Sequence, residues 1–177
     1  MSRIKKTLRN LIIIAALFCI FMITTGLRLT PVQAHKLSEK GIHYGPSKIV
    51  KVFNHGKYQH LLCKYDNWIS CNTVDRTLFI FWAPGSQVTG VENNLDEALK
   101  YSESYSNRIN IVYGIVNDEN IEKVEVYTTE GNIIVNKDLY DNMFYFSWKS
   151  KDNTWGMKEL RGYDKNGNQI YLFQRNR

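Results

Sequence analysis

The chain has 177 residues, 44% hydrophobic and 23% charged, with 23 Lys+Arg against 17 Asp+Glu. That length can bury a core, and the apolar and aromatic content excludes a disordered chain. Three cysteines are too few for a disulfide-dense miniprotein or a four-cysteine zinc module, while the formal charge of +6 raises the question of a nucleic-acid partner.

The position of the charge answers that question. Arg3, Lys5, Lys6 and Arg9 form a basic start without an acidic residue, and an apolar run follows from Leu11 to Leu27. A short polar stretch, Arg28 to Ala34, closes on Val32-Gln33-Ala34. A basic segment, an apolar segment and small residues at −3 and −1 predict a secretory signal peptide over residues 1–34, cleaved between Ala34 and His35. The alternative is an uncleaved single-pass anchor with its amino end in the cytoplasm, since the 17 residues Leu11–Leu27 reach the lower limit for a span. Either way the remainder is exported: secreted, or held at the cell surface. Cys19 follows Phe18, with Ala16 where a lipoprotein signal carries Leu, so it reads as an apolar residue of this segment and not a lipid site.

Residues 35–177 hold 18 Lys+Arg against 17 Asp+Glu, which removes the case for nucleic acid. The stretch His35–Lys64 still carries six lysines and one glutamate. Such a stretch could favour an anionic surface such as wall polymers or lipid headgroups, but a solvated edge whose lysines block strand addition is the simpler and preferred reading.

His35 to Ser47, with two glycines and a proline, is expected to form a loose arm over residues 35–47. Residues 48–177 then read as a single β-domain. Strands are expected at Lys48–Phe53, Lys57–Tyr65, Thr77–Ala83, Arg108–Val116, Glu122–Thr128, Asn132–Asn136, Met143–Lys149, Met157–Tyr163 and Gln169–Gln174. Asn54-His55-Gly56, Glu130-Gly131 and Asn166-Gly167 supply the turns, and Pro84-Gly85 ends the run before it. Leu78–Trp82 is apolar throughout and reads as a central strand covered on both faces. Alternation puts Ile109, Ile111, Tyr113 and Ile115 on one face, separates Phe144, Phe146 and Trp148 from Met143, Tyr145 and Ser147, and gives the last strand a buried row of Ile170 and Leu172. Asn94 with Glu97 three residues on has the spacing of a capping box, which predicts a short helix through Tyr101. The pattern predicts an antiparallel, immunoglobulin-like β-sandwich with one short helix; a barrel or a curved sheet packed on that helix is the runner-up.

Few residues carry chemistry. If Asp66-Asn67-Trp68 forms a hairpin loop, Cys63 lies across from Cys71 and a structural disulfide is expected in an oxidising compartment. His35, His43, His55 and His60 fall close together, but His60 and Cys63 are three apart on a strand and face opposite sides, so no metal site is expected. Asp164-Lys165-Asn166-Gly167-Asn168 lacks the Gly and Glu positions of a calcium loop and reads as a turn, as does Asn117-Asp118-Glu119. Trp82 and Trp148 read as core. Trp68 and Trp155, beside Asp-Asn pairs in loops, are the binding candidates, because exposed tryptophans stack on sugar rings or anchor protein partners. No nucleophile elbow, zinc-protease helix or phosphate loop is present, and neither catalytic residues nor a cofactor are assigned.

Val112-Tyr113-Gly114, the run Asp118 to Val126, Phe144–Trp148 and Gly162 to Asn168 together resemble small uncharacterised exported proteins of Bacillus-like Gram-positive bacteria, over about the last 70 residues. The resemblance implies a secreted or surface immunoglobulin-like β-domain and carries over no catalytic residue. The expected function is a non-enzymatic domain that binds a protein or a polymer at the cell envelope, with an exported hydrolase or hydrolase inhibitor as the alternative.

Overall fold

The computed structural model describes residues 3–85, 90–106, 108–149 and 156–175. It is mainly β, with antiparallel sheets and an amino-terminal apolar helix. That helix, α1 (Arg3–Thr25), is 23 residues long and buries none of its side chains against the protein. At 1.5 Å per residue it extends about 34 Å, enough to cross a hydrocarbon layer. Gly26 ends it at a φ of 69°, where glycine carries no Cβ penalty. The Arg28 guanidinium then donates to the carbonyls of Met22 (3.0 Å) and Leu27 (2.7 Å).

A second helix, α2 (Pro31–Gly41), follows after five residues. Thr30 caps it, its Oγ1 accepting from the Gln33 amide at 3.2 Å, and Pro31 occupies the first turn, where its missing N–H costs nothing. Ala34, His35 and Glu39 form its buried face. Residues 35–41, expected as part of a loose arm, are therefore helical and packed. A cap and a buried stripe outweigh the weak local signal of its polar residues. Ala34 and His35, the expected cleavage pair, lie in the body of this helix at 0% and 1% exposure.

Strands β1 (Lys48–Asn54), β2 (Tyr58–Tyr65), β3 (Trp68–Thr77) and β4 (Phe81–Pro84) form the first sheet in that order, with β5 (Val91–Glu92) paired to the start of β3. Strands β6 (Leu99–Ser106), β7 (Ile109–Val116) and β10 (Met143–Lys149) form the second, with β7 central. The third has the order β12–β11–β8–β9, from β8 (Lys123–Thr128), β9 (Ile133–Asn136), β11 (Met157–Tyr163) and β12 (Gln169–Gln174).

Side-chain alternation assigns the cores. Ile109, Ile111, Tyr113 and Ile115 of β7, with Met143 and Tyr145 of β10, pack on Leu62, Ile69 and Cys71 of the first sheet. The opposite face, with Val112, Val116, Phe144 and Phe146, packs on Val124, Val126, Met157 and Leu160 of the third. All eight residues of β7 are buried. The second sheet is thus covered on both sides, and α2 covers the outer face of the first through Ala34, Leu61, Cys63, Val74 and Trp82. Trp148, expected as core, packs half-buried against the cluster between the second and third sheets.

Three expectations are corrected. The doubly covered strand is β7, not Leu78–Trp82: Leu78, Phe79 and Ile80 form the exposed tip between β3 and β4. Asn94 does not start a helix. Its Oδ1 accepts from the Asp96 amide at 3.2 Å and its carbonyl from the Glu97 amide at 3.1 Å, a side-chain-stabilised turn, and Leu99 onward pairs with β7 instead. In β12, Tyr171 and Phe173 pack on the core while Ile170 and Leu172 are 43% and 50% exposed.

Candidate binding site

The β2–β3 hairpin sets the positions of most candidate residues. Asp66, at a φ of 51°, and Asn67 form a two-residue turn, so Tyr65 pairs with Trp68. The ladder then pairs Cys63 with Ser70 and Leu62 with Cys71. The expected disulfide is absent: Cys63 and Cys71 are free and buried. A loop one residue shorter than the one expected moves the register by one, and in a strand one residue is one face. Cys63 therefore looks toward α2 and Cys71 toward the second sheet. Burial pushes the Cys63 thiol up to about 12 and raises Cys71 as well.

Trp68 (39% exposed) and Tyr65 (37%) stand side by side at the end of this hairpin, on the α2 face. Tyr44, from the loop after α2, meets the Tyr65 ring edge-on at 5.2 Å and reaches Ser70 with its hydroxyl at 3.4 Å. Beside Tyr44 an open groove of about 520 Å³ is lined by Lys36, Lys40, His43, Gly45 and Pro46. Lys36, Lys40 and His43 are exposed. Glu39 also borders the groove, but its carboxylate accepts from the Ser47 amide (3.1 Å) and faces His35 (3.2 Å), so it is held inward. An aromatic edge thus adjoins a groove whose free charges are basic. Trp155 lies outside the described residues.

Beneath the groove, His35 is the centre of a buried polar network. Asn72 Nδ2 donates to His35 Nδ1 (2.6 Å) and to Ser38 Oγ (2.7 Å). Nδ1 is therefore the acceptor, and Nε2 carries the proton toward Glu39 Oε1 (3.2 Å) and Ser47 Oγ (3.1 Å). Burial lowers the His35 pKa against the opposing pull of Glu39, which favours the neutral ring. Cys63 Sγ lies 3.7 Å from the same Nε2. Cysteine, histidine and asparagine meet as they would in a thiol hydrolase, but this thiol is 0% exposed and held protonated, the reverse of an activated nucleophile. The network instead pins α2 to the first sheet.

The other histidines divide. His55 and His60 converge on the Tyr145 hydroxyl, at 3.0 Å from His55 Nε2 and 2.5 Å from His60 Nδ1. Their spacing of five on either side of a hairpin turn gave no sign of this meeting, which depends on β10 packing across from another sheet. Burial, then the neighbouring His55, lowers His60 to about 3, and its Nε2 is buried without a partner. Among the described residues no group of three or more His, Cys, Asp or Glu converges to hold a metal. The acidic turns line another open groove, of about 560 Å³. There Asp164 accepts from the Asn166 and Asn168 amides (2.9 and 2.8 Å) and Asp118 from the Asn120 amide (2.9 Å), so both carboxylates close their own turns. No family model, curated protein or solved structure matches this chain.

Proposed function

We propose that the chain is a membrane-tethered, extracytoplasmic, non-enzymatic β-domain that binds an anionic polymer of the cell envelope along Trp68, Tyr65, Tyr44 and the groove bearing Lys36 and Lys40. One observation carries the reading: the aromatic edge adjoins the basic groove at the end of β3 remote from α1. Sugar rings stack on exposed Trp and Tyr faces, and lysines answer the phosphates or carboxylates of such a polymer. Nine residue steps separate Trp68 from Thr77, about 30 Å along the strand.

The packing of α2 supports retention of α1. Cleavage after Ala34 removes Leu27, the Thr30 cap and Ala34, all of which serve the cover over the first sheet. Amino-terminal sequencing and fractionation test the tether: a soluble protein beginning at His35 overturns it. Retention of the full chain, in detergent, on purified wall polymers tests the site. Trp68→Ala and Lys36→Glu/Lys40→Glu are expected to abolish retention without changing thermal unfolding, and retention equal to the parent overturns the reading.

A further inference from the structure

We propose that the β3–β4 tip, Leu78-Phe79-Ile80, inserts into the outer leaflet of the lipid bilayer beside α1, as a second membrane attachment of the domain. The inference rests on α1 being a retained span.

The tip has the wrong chemistry for water. Leu78, Phe79 and Ile80 are 60%, 90% and 63% exposed, three consecutive large apolar side chains left mostly uncovered by the protein. Leu78 and Phe79 also adopt φ of 49° and 66°, the left-handed region that hairpin tips normally fill with Gly, Asn or Asp. Two bulky residues held there, against both solvation and backbone preference, need a compensating environment, and a hydrocarbon layer supplies one.

The position relative to α1 identifies that environment. Trp82 pairs with Arg28, just beyond the end of α1. One residue earlier, the Phe81 ring lies 6.2 Å from Phe18 and 6.3 Å from Phe21. The chain from Trp82 toward the tip therefore runs along α1 in the direction of its amino end. Phe18 is seven residues before Thr25, about 10 Å down the helix axis. If α1 spans the bilayer, Phe81 is already within the leaflet and the three tip residues lie with it. At the level of Arg28, the Arg76 guanidinium lies 5.7 Å from the Trp82 ring. This grouping of cations and an indole is the composition found where a membrane protein leaves the hydrocarbon.

The test uses the full chain in phospholipid nanodiscs with an environment-sensitive fluorophore on one cysteine at a time. Cys63 and Cys71 are buried and stay unlabelled in the folded protein. The label is placed on the native Cys19, or, in a Cys19→Ser background, on Phe79→Cys, Ile80→Cys or Leu95→Cys. Leu95 is 78% exposed and lies in the connection after β5, at the opposite end of β3, so it serves as the water-facing reference. The expected result is blue-shifted emission, quenched by lipids with a nitroxide near the glycerol end of the chain, at 79 and 80 as at 19, but not at 95. Water-like emission at both 79 and 80 with Cys19 quenched overturns the insertion and leaves the anchor. Water-like emission at Cys19 overturns the anchor and the insertion with it. Blue-shifted but unquenched emission at 79 and 80, lost at one copy per disc, assigns the tip to a second copy and also overturns insertion.

Discussion

Arg28 and Trp82 exchange both backbone hydrogen bonds, each 2.7 Å long, so the segment leaving α1 is joined to the outer edge of β4. The pair closes an edge that otherwise presents unpaired amide groups. It also makes the residues before His35 part of the domain.

A chain beginning at Leu27 is therefore expected to unfold at a higher temperature than one beginning at His35. The longer chain keeps the Arg28–Trp82 pair, the Thr30 cap and the buried Leu27 and Ala34. Thr30→Ala alone should cost about 1 kcal/mol, the usual loss at a helix cap. Thermal melts of the three proteins check this.

Cys63 and Cys71 should remain thiols in air. Alkylating reagent is expected to reach them only on unfolding, with identical gel mobility before and after reduction. Their opposite faces exclude a bridge without a change of register, and burial keeps both protonated.

Acid should weaken the fold through His60. Its pKa is 6.5 in a solvated chain and about 3 in the folded protein, lowered by burial and by His55. Between those values the unfolded chain binds the proton and the folded chain does not. The contribution of the neutral ring is complete above about pH 6.5 and is lost as pH falls toward 3, by at most about 1.4 kcal/mol per pH unit for one proton. Denaturant melts across this range should show the slope, and His60→Phe should flatten it.

Gly114→Ala should destabilise by about 3 kcal/mol, the upper end for overpacking. A Cβ there meets the Lys100 carbonyl and the Phe144 ring, and neither face of the second sheet has room to yield. Chemical denaturation measures the loss.

What the sequence disclosed was local. The turns at Gly56, Gly131 and Gly167 stand where the dipeptides put them, with φ of 77°, 84° and 85°. The alternation in β7 and β10 assigns the correct residues to each face, because a period of two survives whatever covers the sheet. What it hid depended on counting or on distant partners. One residue in the Asp66-Asn67 turn decides the fate of both cysteines, and composition does not report that residue. Asn94 forms the same first hydrogen bonds in a turn as at a helix start, so only the pairing of Leu99–Ser106 with β7 separates them. Leu78–Trp82 looks like a buried strand because hydrophobicity states that a residue avoids water, not what replaces the water. Trp68 is legible as exposed, but the meeting of Tyr65 with Tyr44 and of Tyr44 with the groove of Lys36 is not, since a loop and a helix bring them together.

The five residues between α1 and α2 leave little freedom for swivelling: Gly26 ends one helix, Leu27 is buried, Arg28 is paired and Thr30 caps the next helix. A flexible tether would let the binding edge sweep a volume that grows with linker length. With α1 in a bilayer, as proposed, the edge would stay at one altitude, and a polymer strand would be met only where it passes at that height. Copies spread over a membrane would then all probe the same thin stratum of the envelope.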